Sequence, residues 1–562
     1  MCSIGTVYDV NTQRTQANPI SITPILRSIS SFFQPRPIIR QDYEIPLKSN
    51  DIFGDPITIP INPSNTRLYF INLNGLNLSK NAVQFRDLCN KIKKANIQLL
   101  ATAEHNLDTN KFEVRQLMEL TAKQTFSHHA IQTATSSIPA DKFYKPGGTF
   151  LMAQGDITGR IKEKGSDHMG RWSWIKFIGR NKRIITVISA YQVCVRPTHA
   201  TGTTAFHQQQ SLLRQKGVKK PSPRHYFYRD LNEMIRLCKT RQELIILTGD
   251  FNEPMTERSS MARIACTHEL VDILFQRNPD QAEPNTYARG STRIDYSLIS
   301  PELTQAVTAC GYEPFHQRIK SDHRGFYIDF DTSTLFGNET PTLAPMTHRD
   351  FSSKNPTNNT RYIQAKYAHL EQQDFFRHLA ALQALPQGDH DKAERLDTIL
   401  RQASEHASKK IRRFHRPWWS MKLTQARAKT EILQSLMSGY RNNLDVREAL
   451  LTRILEQSLE LILPNTQSEC LALLRHHQEL LKNMEANSLE VRHTEMEAKA
   501  NLAHDTGNLN QQKNLNAIRI HEARLAMYRK VKAVRSKHNK SGFTSIKVPS
   551  SWPAAHLSLI PI

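Results

Sequence analysis

No Cys-x-x-Cys pair occurs in the chain, and its seven cysteines are odd in number and lie far apart. A disulfide framework needs paired cysteines at regular spacing and a structural zinc site needs clustered thiolates, so neither is suggested. A reducing compartment fits this usage best. No apolar run reaches the roughly 18 residues expected of a membrane-spanning helix. The amino terminus also lacks the basic-then-apolar order of a signal peptide. A soluble intracellular protein with no membrane partner is therefore expected. No internal repeat is found.

What is abundant is positive charge: 75 Lys+Arg stand against 52 Asp+Glu, for a formal net charge of +23. Residues 341–562 hold 33 basic and 21 acidic residues, leaving 42 and 31 for residues 1–340, so both parts are positive. A polyanionic partner, most simply nucleic acid, fits that balance. The 562 residues exceed the roughly 250 to 300 at which single cores stop growing, so two or three folded units are expected.

Texture divides the chain. Residues 1–66 are rich in Ser, Thr, Pro, Asn and Gln, with short apolar pieces interrupted by prolines, and are expected to be a disordered leader. From Leu68 the chain shows short β-like runs: Leu68 to Ile71, Ile97 to Thr102, Thr149 to Ala153, Trp172 to Ile178, Ile184 to Ala190 and Leu244 to Thr248. Helical stretches such as Ala82 to Lys93 and Tyr226 to Cys238 lie between some of them, which predicts a layered α/β domain over 67–332. After a linker at 333–360 the β-like runs vanish. Helical periodicity then dominates a basic region over 361–540, in Gln364 to Leu385, Ala393 to Phe414, Met421 to Met437, Val446 to Leu463 and Ser468 to Ala503. Residues 541–562 are expected to be an extended tail.

Several β-like runs end in polar clusters, where layered α/β folds place reactive groups. Asn72-Leu73-Asn74-Gly75 follows the first run and Glu104-His105-Asn106 the second; Tyr191 closes another, and Gly249-Asp250-Phe251-Asn252 the strongest. Thr292-Arg293-Ile294-Asp295 and Ser321-Asp322-His323 follow near the end of the domain. Taken singly, Asn-Gly is a turn signal, Gly-Asp-Phe-Asn a helix cap and Ser-Asp-His a solvated loop. Together and in this order they carry a more specific message.

The ordered series Asn72, Glu104, Tyr191, Asp250-Phe251-Asn252, Arg293-Ile294-Asp295 and Ser321-Asp322-His323 resembles the endonuclease/exonuclease/phosphatase superfamily over roughly 260 residues. That resemblance implies a four-layer α/β sandwich of two packed mixed sheets flanked by helices, followed here by the all-helical region. It also implies a phosphodiesterase dependent on Mg²⁺, with Mn²⁺ as the substitute. By the same resemblance Glu104, Asn72 and Asp322 would serve the metal, and Asp250, Asn252, Asp295, His323 and Tyr191 would be catalytic. Whether Asp250 or the His323 and Asp295 pair acts as base stays open.

Within the superfamily, Asn74 in Asn-x-Asn-Gly-Leu-Asn and Thr286 in Asn-Thr-Tyr resemble the endonuclease domains of non-LTR (LINE-type) retrotransposons. Asn74, Thr286, Arg293 and Ser321 are thereby expected to contact nucleic acid. The basic Trp-Trp segment with Lys409, Lys410, Arg412, Arg413 and Arg416 resembles the linker that follows such domains, and implies contact with DNA or element RNA. No Tyr- or Phe-x-Asp-Asp polymerase motif occurs, so the chain reads as an endonuclease and linker without the reverse transcriptase core. Nuclear location follows from that resemblance alone. The alternatives are an apurinic/apyrimidinic repair endonuclease and a catalytically decayed nucleic-acid-binding remnant. The stretch Arg196 to His225, carrying Lys216, Lys219, Lys220 and Arg224, is expected to be an inserted loop over a phosphate backbone.

Overall fold

Alternating side chains explain the architecture in this computed structural model, which describes residues 50–139, 144–194, 204–339, 341, 343, 356–385, 389–410 and 420–538. Among the described residues, thirteen strands form between residues 53 and 331. In chain order they are β1 (Phe53–Gly54), β2 (Asn65–Asn72), β3 (Leu99–Ala103), β4 (His129–Ala134), β5 (Thr149–Gln154), β6 (Ile161–Ser166) and β7 (Trp172–Ile178). Then come β8 (Ile184–Tyr191), β9 (Leu244–Asp250), β10 (Val271–Asp272), β11 (Asp295–Ile299), β12 (Val307–Tyr312) and β13 (Phe326–Asp331). They build a seven-stranded sheet in the order β1-β12-β13-β2-β3-β5-β4 and a six-stranded sheet in the order β10-β11-β9-β8-β7-β6. Both are mixed, with β2 parallel to β3 and β8 parallel to β9.

Successive strand residues point to opposite faces. In β2, Leu68 and Phe70 enter the core between the sheets, where they join Ile185, Val187 and Ile246 of the second sheet. Tyr69 and Ile71 face the other way and pack with Phe85, Leu88 and Ile92 of helix α1 (Ser79–Lys94) and Met118 of helix α2 (Phe112–Ala122). The second sheet repeats the arrangement: Ile245, Leu247 and Leu298 face outward onto helices that follow. After α3 (Ala205–Gln215), which packs elsewhere, those helices are α4 (Pro223–Thr240) and α5 (Ser260–Thr267), which supply Leu231, Ile235 and Ile264. The result is the expected four-layer sandwich. At roughly 1.5 to 3 kcal/mol for each fully buried large aliphatic or aromatic side chain, these three cores are its main stabilisation.

Two boundaries differ from expectation. β1 pairs with β12, and the Asn50 side chain accepts the Phe315 N–H at 2.6 Å, so residues from 50 onward belong to the folded unit instead of the leader. Their partners lie some 260 residues away, beyond the reach of local patterning. The expected loop after Arg196 contains helix α3, whose Leu212 and Leu213 are buried against Met169.

Short helices α6 (Ile273–Arg277) and α7 (Thr332–Phe336) complete the sandwich. The later helices are α8 (Pro356–Gln372), α9 (Phe375–Gln383), α10 (His390–Lys409), α11 (Met421–Asn442), α12 (Arg447–Glu456), α13 (Gln467–Ala486), α14 (Ser488–Asp505) and α15 (Leu509–His538). Gln364 to Leu385 is divided at Asp374, whose φ of 47° cannot continue a right-handed helix. Val446 to Leu463 is helical only to Glu456, after which Leu459 and Leu463 still reach the core from non-helical backbone. Among the described residues no helix is long and apolar enough to cross a membrane. The leader through residue 49, the tail from 541 and Arg412, Arg413, Arg416 and the Trp-Trp pair lie outside the described residues.

Candidate active site

The sheets bring the polar clusters to one edge. β2 and β3 run parallel, so Asn72, the last residue of one, and Glu104, just beyond the other, emerge together. Tyr191 is likewise paired with Asp250 at the ends of parallel β8 and β9, and antiparallel β11 begins with Asp295 directly opposite Asp250. Gly249 allows the close strand approach here, since a Cβ would stand 2.5 Å from the Ala190 carbonyl oxygen.

Side chains then join the sheets across this edge. Asn72 donates from Nδ2 to Asp250 Oδ2 at 2.8 Å and more weakly to Glu104 Oε2 at 3.3 Å. The Tyr191 hydroxyl donates to Glu104 Oε1. Asp250 also accepts the Asn252 N–H at 2.9 Å on Oδ1. His323 Nδ1 meets Asp295 Oδ2 at 2.9 Å, and the ligand atoms of Asp250, Asp295 and His323 lie within 4.8 Å of one another. Asn74, Glu104 and Asn252 all adopt left-handed backbone (φ 45°, 49° and 46°), which asparagine accommodates and which leaves Glu104 as the strained member of the three.

Electrostatics separates the roles these groups can take. Burial, with the Asp295 and Glu104 carboxylates nearby, pushes Asp250 well above the usual carboxylate range, against the opposing pull of His323 and the Asn252 N–H. Burial alone would lower the His323 imidazole, but the bonded Asp295 charge outweighs it, aided by Asp250 and Asp322, and the imidazole is raised to about 10. Burial and the Glu104 carboxylate push the Tyr191 phenol well above its ordinary value, so it is a neutral donor.

The Asp250, Asp295 and His323 ligand atoms are close enough to hold an ion, and the Asp295 to His323 bond also makes them a polar pair beside a carboxylate. The chemistry of the wider donor set suits a hard divalent ion: Glu104 and Asp322 offer carboxylate oxygens, and Asp322 Oδ1 and Asp295 Oδ1 are buried without a hydrogen-bond partner. Asn72 differs from expectation. Its Oδ1 accepts the Asn74 N–H at 2.9 Å and its amide points at two carboxylates, so it orients ligands instead of presenting a bare oxygen.

The expected nucleic-acid contacts divide in two. Asn74 is exposed and donates to Asp322 Oδ2 at 3.0 Å, beside the site. Thr286, Arg293 and Ser321 are corrected, because all three are buried and occupied within the protein. The Thr286 hydroxyl accepts the N–H groups of Ile294 and Asp295, aligning the start of β11. Arg293 pairs with Asp272 at 2.6 Å and Glu283 at 2.9 Å. Ser321 donates to the Asn72 carbonyl at 2.6 Å and accepts the His323 N–H, pinning the last motif to the first. Lys409 is exposed on α10, 3.2 Å from Glu405, and Lys410 follows it, also exposed.

Arg224, expected over a phosphate backbone, instead braces the rim, and sequence reasoning missed Gln192, Tyr287 and Arg289 beside it. Arg224 donates to the Val193 and Asn252 carbonyls at 2.8 and 3.1 Å, cross-linking the exits of β8 and β9. The Asn252 amide in turn donates to the Gln192 carbonyl at 2.7 Å. The Tyr287 ring lies 5.0 Å from His323, and the exposed Arg289 guanidinium stands 5.3 Å over that ring. An aromatic and a basic residue two apart, close before the Arg-Ile-Asp motif, was the available signal.

No protein-family model and no curated protein matches the chain. Among solved structures it is similar to an AP endonuclease of Leishmania major, at 16% identity and a TM-score of 0.38, covering 48% of this chain and 89% of that one. It is also similar to a 3′-5′ exonuclease of Neisseria meningitidis, at 18% identity and a TM-score of 0.33, covering 47% and 100%. An endonuclease/exonuclease/phosphatase family protein of Leptotrichia buccalis gives 17% identity and a TM-score of 0.31, covering 47% and 99%.

Proposed function

We propose that the chain is a divalent-metal-dependent phosphodiesterase that cuts DNA internally, the endonuclease of a non-LTR (LINE-type) retrotransposon acting on chromosomal DNA in the nucleus. One observation carries the phosphodiesterase reading: a buried carboxylate, Asp250, stands beside an imidazole held charged by Asp295, at the edge where both sheets end. Phosphodiester hydrolysis needs an acceptor for a water proton and a fixed positive donor for the charge growing on the phosphoryl oxygens. Asp250, of raised basicity, accepts the proton. His323, charged and fixed by Asp295, donates from Nε2 to a phosphoryl oxygen.

Glu104 and Asp322 would hold Mg²⁺ or Mn²⁺, with Asn72 and Tyr191 orienting Glu104. The bound ion supplies charge neutralisation on the phosphate and the leaving oxygen. Asn74, Tyr287 and Arg289 at the rim meet the substrate backbone, and the net charge of +23 favours DNA, with element RNA as a second partner of the basic helices.

The test incubates the full chain with intact supercoiled plasmid, an abasic duplex oligonucleotide and a phosphoinositide, each with Mg²⁺ or EDTA. Nicking of intact plasmid that EDTA abolishes and Asp250→Ala lacks is expected. Strong preference for the abasic duplex would transfer the reading to a repair nuclease. Inertness toward all DNA would overturn it.

A further inference from the structure

Helices beyond residue 340 share a core with the loops that carry the site. Phe315 and Ala288 are buried in one cluster with Ile432, Leu433 and Leu436 of α11 and Leu450 and Ile454 of α12. Both come from segments that shape the active-site edge. Ala288 donates its N–H to the Asp322 carbonyl at 2.8 Å, Arg324 donates its own to the Thr286 carbonyl at 2.8 Å, and Tyr287 bridges to His323. The loop from Glu313 to Arg324 is thus held on one side by residues 286–288.

Its other side is held by charge. Glu431 on α11 receives Lys91 Nζ of α1 at 2.8 Å and Arg453 Nη2 of α12 at 3.1 Å. Arg453, only 1% exposed, also donates from Nη1 to the His316 carbonyl at 3.0 Å. Lys320, directly before Ser321-Asp322-His323, reaches the Gln434 side chain one helical turn beyond Glu431 and adds a third cation to that carboxylate's surroundings. Lys91 also pairs with Asp87 of its own helix at 2.9 Å, so Glu431 is the carboxylate that the three cations share, and removing it would leave Lys320 and Arg453 without an opposing charge in a poorly solvated interface.

We propose that Glu431 is a positioning residue for hydrolysis: it gathers Lys91, Lys320 and Arg453 so that α11 and α12 clamp the loop delivering Asp322 and His323. The helical region is then a working part of the catalytic centre, in the same chain, besides any role in gripping nucleic acid. This rests on the phosphodiesterase reading above for its effect on rate, whereas the clamp itself can be read without activity.

The experiment compares the full chain with Glu431→Gln by amide hydrogen exchange and by steady-state plasmid nicking. Exchange in residues 313–324 should quicken about tenfold while β9 and β11 stay unchanged. The turnover number kcat should fall about 10²-fold, as for a displaced catalytic group, with KM within about twofold. A uniform rise in exchange, an unchanged loop, or a loosened loop with unchanged kcat would each overturn the proposal. If Glu431→Gln does not fold, Gln434→Ala removes the Lys320 partner alone and should give the same pattern at smaller amplitude. Should the unaltered chain cut no DNA, the functional reading falls and exchange alone decides whether the clamp exists.

Discussion

Asn72 and Asp250 lie 178 residues apart in the chain, yet the amide of one donates to the carboxylate of the other at 2.8 Å, joining the two sheets where they end. That bond stabilises the charged form of Asp250 and fixes its direction. Asn72→Ala is expected to lower the nicking rate about 10²-fold, within the range of a lost acid-base arrangement. Asn72→Asp should do more harm, because it places like charge against Asp250 and Glu104. Single-turnover rates at saturating Mg²⁺ decide this, and a rate near that of the unaltered protein in either variant would remove Asn72 from the site.

The Asp295 and His323 pair makes a pH prediction. Burial opposes the charged imidazole, but Asp295 dominates and the folded-state pKa rises from 6.5 to about 10. Below pH 6.5 the ring is charged in both folded and unfolded chains, so the stabilisation is fully present. It is lost as pH rises through about 10. Urea unfolding between pH 6 and 10 should show a decline that His323→Gln flattens.

Two other histidines work in the opposite direction. His105 is buried and locked neutral, with Nδ1 accepting the Leu107 N–H at 3.0 Å and Nε2 facing the Ala134 carbonyl; burial lowers its pKa to about 4. His316, buried beside Arg453 and Lys320, is lowered to about 3. Above pH 6.5 neither costs stability. As pH falls toward those values each costs about 1.4 kcal/mol per pH unit, because only the unfolded chain takes up the proton. His316→Asn, which suits the left-handed backbone at that position (φ 66°), should reduce the acid slope measured by urea unfolding at pH 7 and pH 5.

Thr286 separates a structural role from a nucleic-acid contact. Its hydroxyl accepts two backbone N–H groups at the start of β11, at 2.9 and 3.1 Å. Thr286→Val strands both and should cost about 1 to 3 kcal/mol in urea unfolding, whereas Thr286→Ser should be nearly neutral. DNA affinity of the folded Val variant should be unchanged; a selective loss of affinity would restore the contact role.

Much of the site was legible because strand ends are local. The run Trp172 to Ile178 matches β7, and Leu244 to Thr248 needed only Gly249 and Asp250 added to become β9. Tyr191 and Asp250 close recognisable β-like runs, whereas Asp295, which begins β11, and His323, in the loop before β13, are joined to them only by the resemblance to the superfamily's ordered motifs. Burial was not legible for Thr286, Arg293 and Ser321, since a hydroxyl or guanidinium in a polar loop looks the same whether it meets solvent or a backbone N–H. The Lys91 to Glu431 pair spans 340 residues, and no periodicity reports such a meeting.

Glu104 sits in the left-handed region, at φ 49°, where asparagine or glycine rests more easily and other side chains cost on the order of 1 kcal/mol or more. Asn74 and Asn252 occupy the same conformation with residues suited to it. Position 104 therefore sets stability against chemistry: exchanging Glu104 for asparagine or glycine would ease the backbone while removing a carboxylate from the site, so a more stable fold and a less complete site would come from the same change.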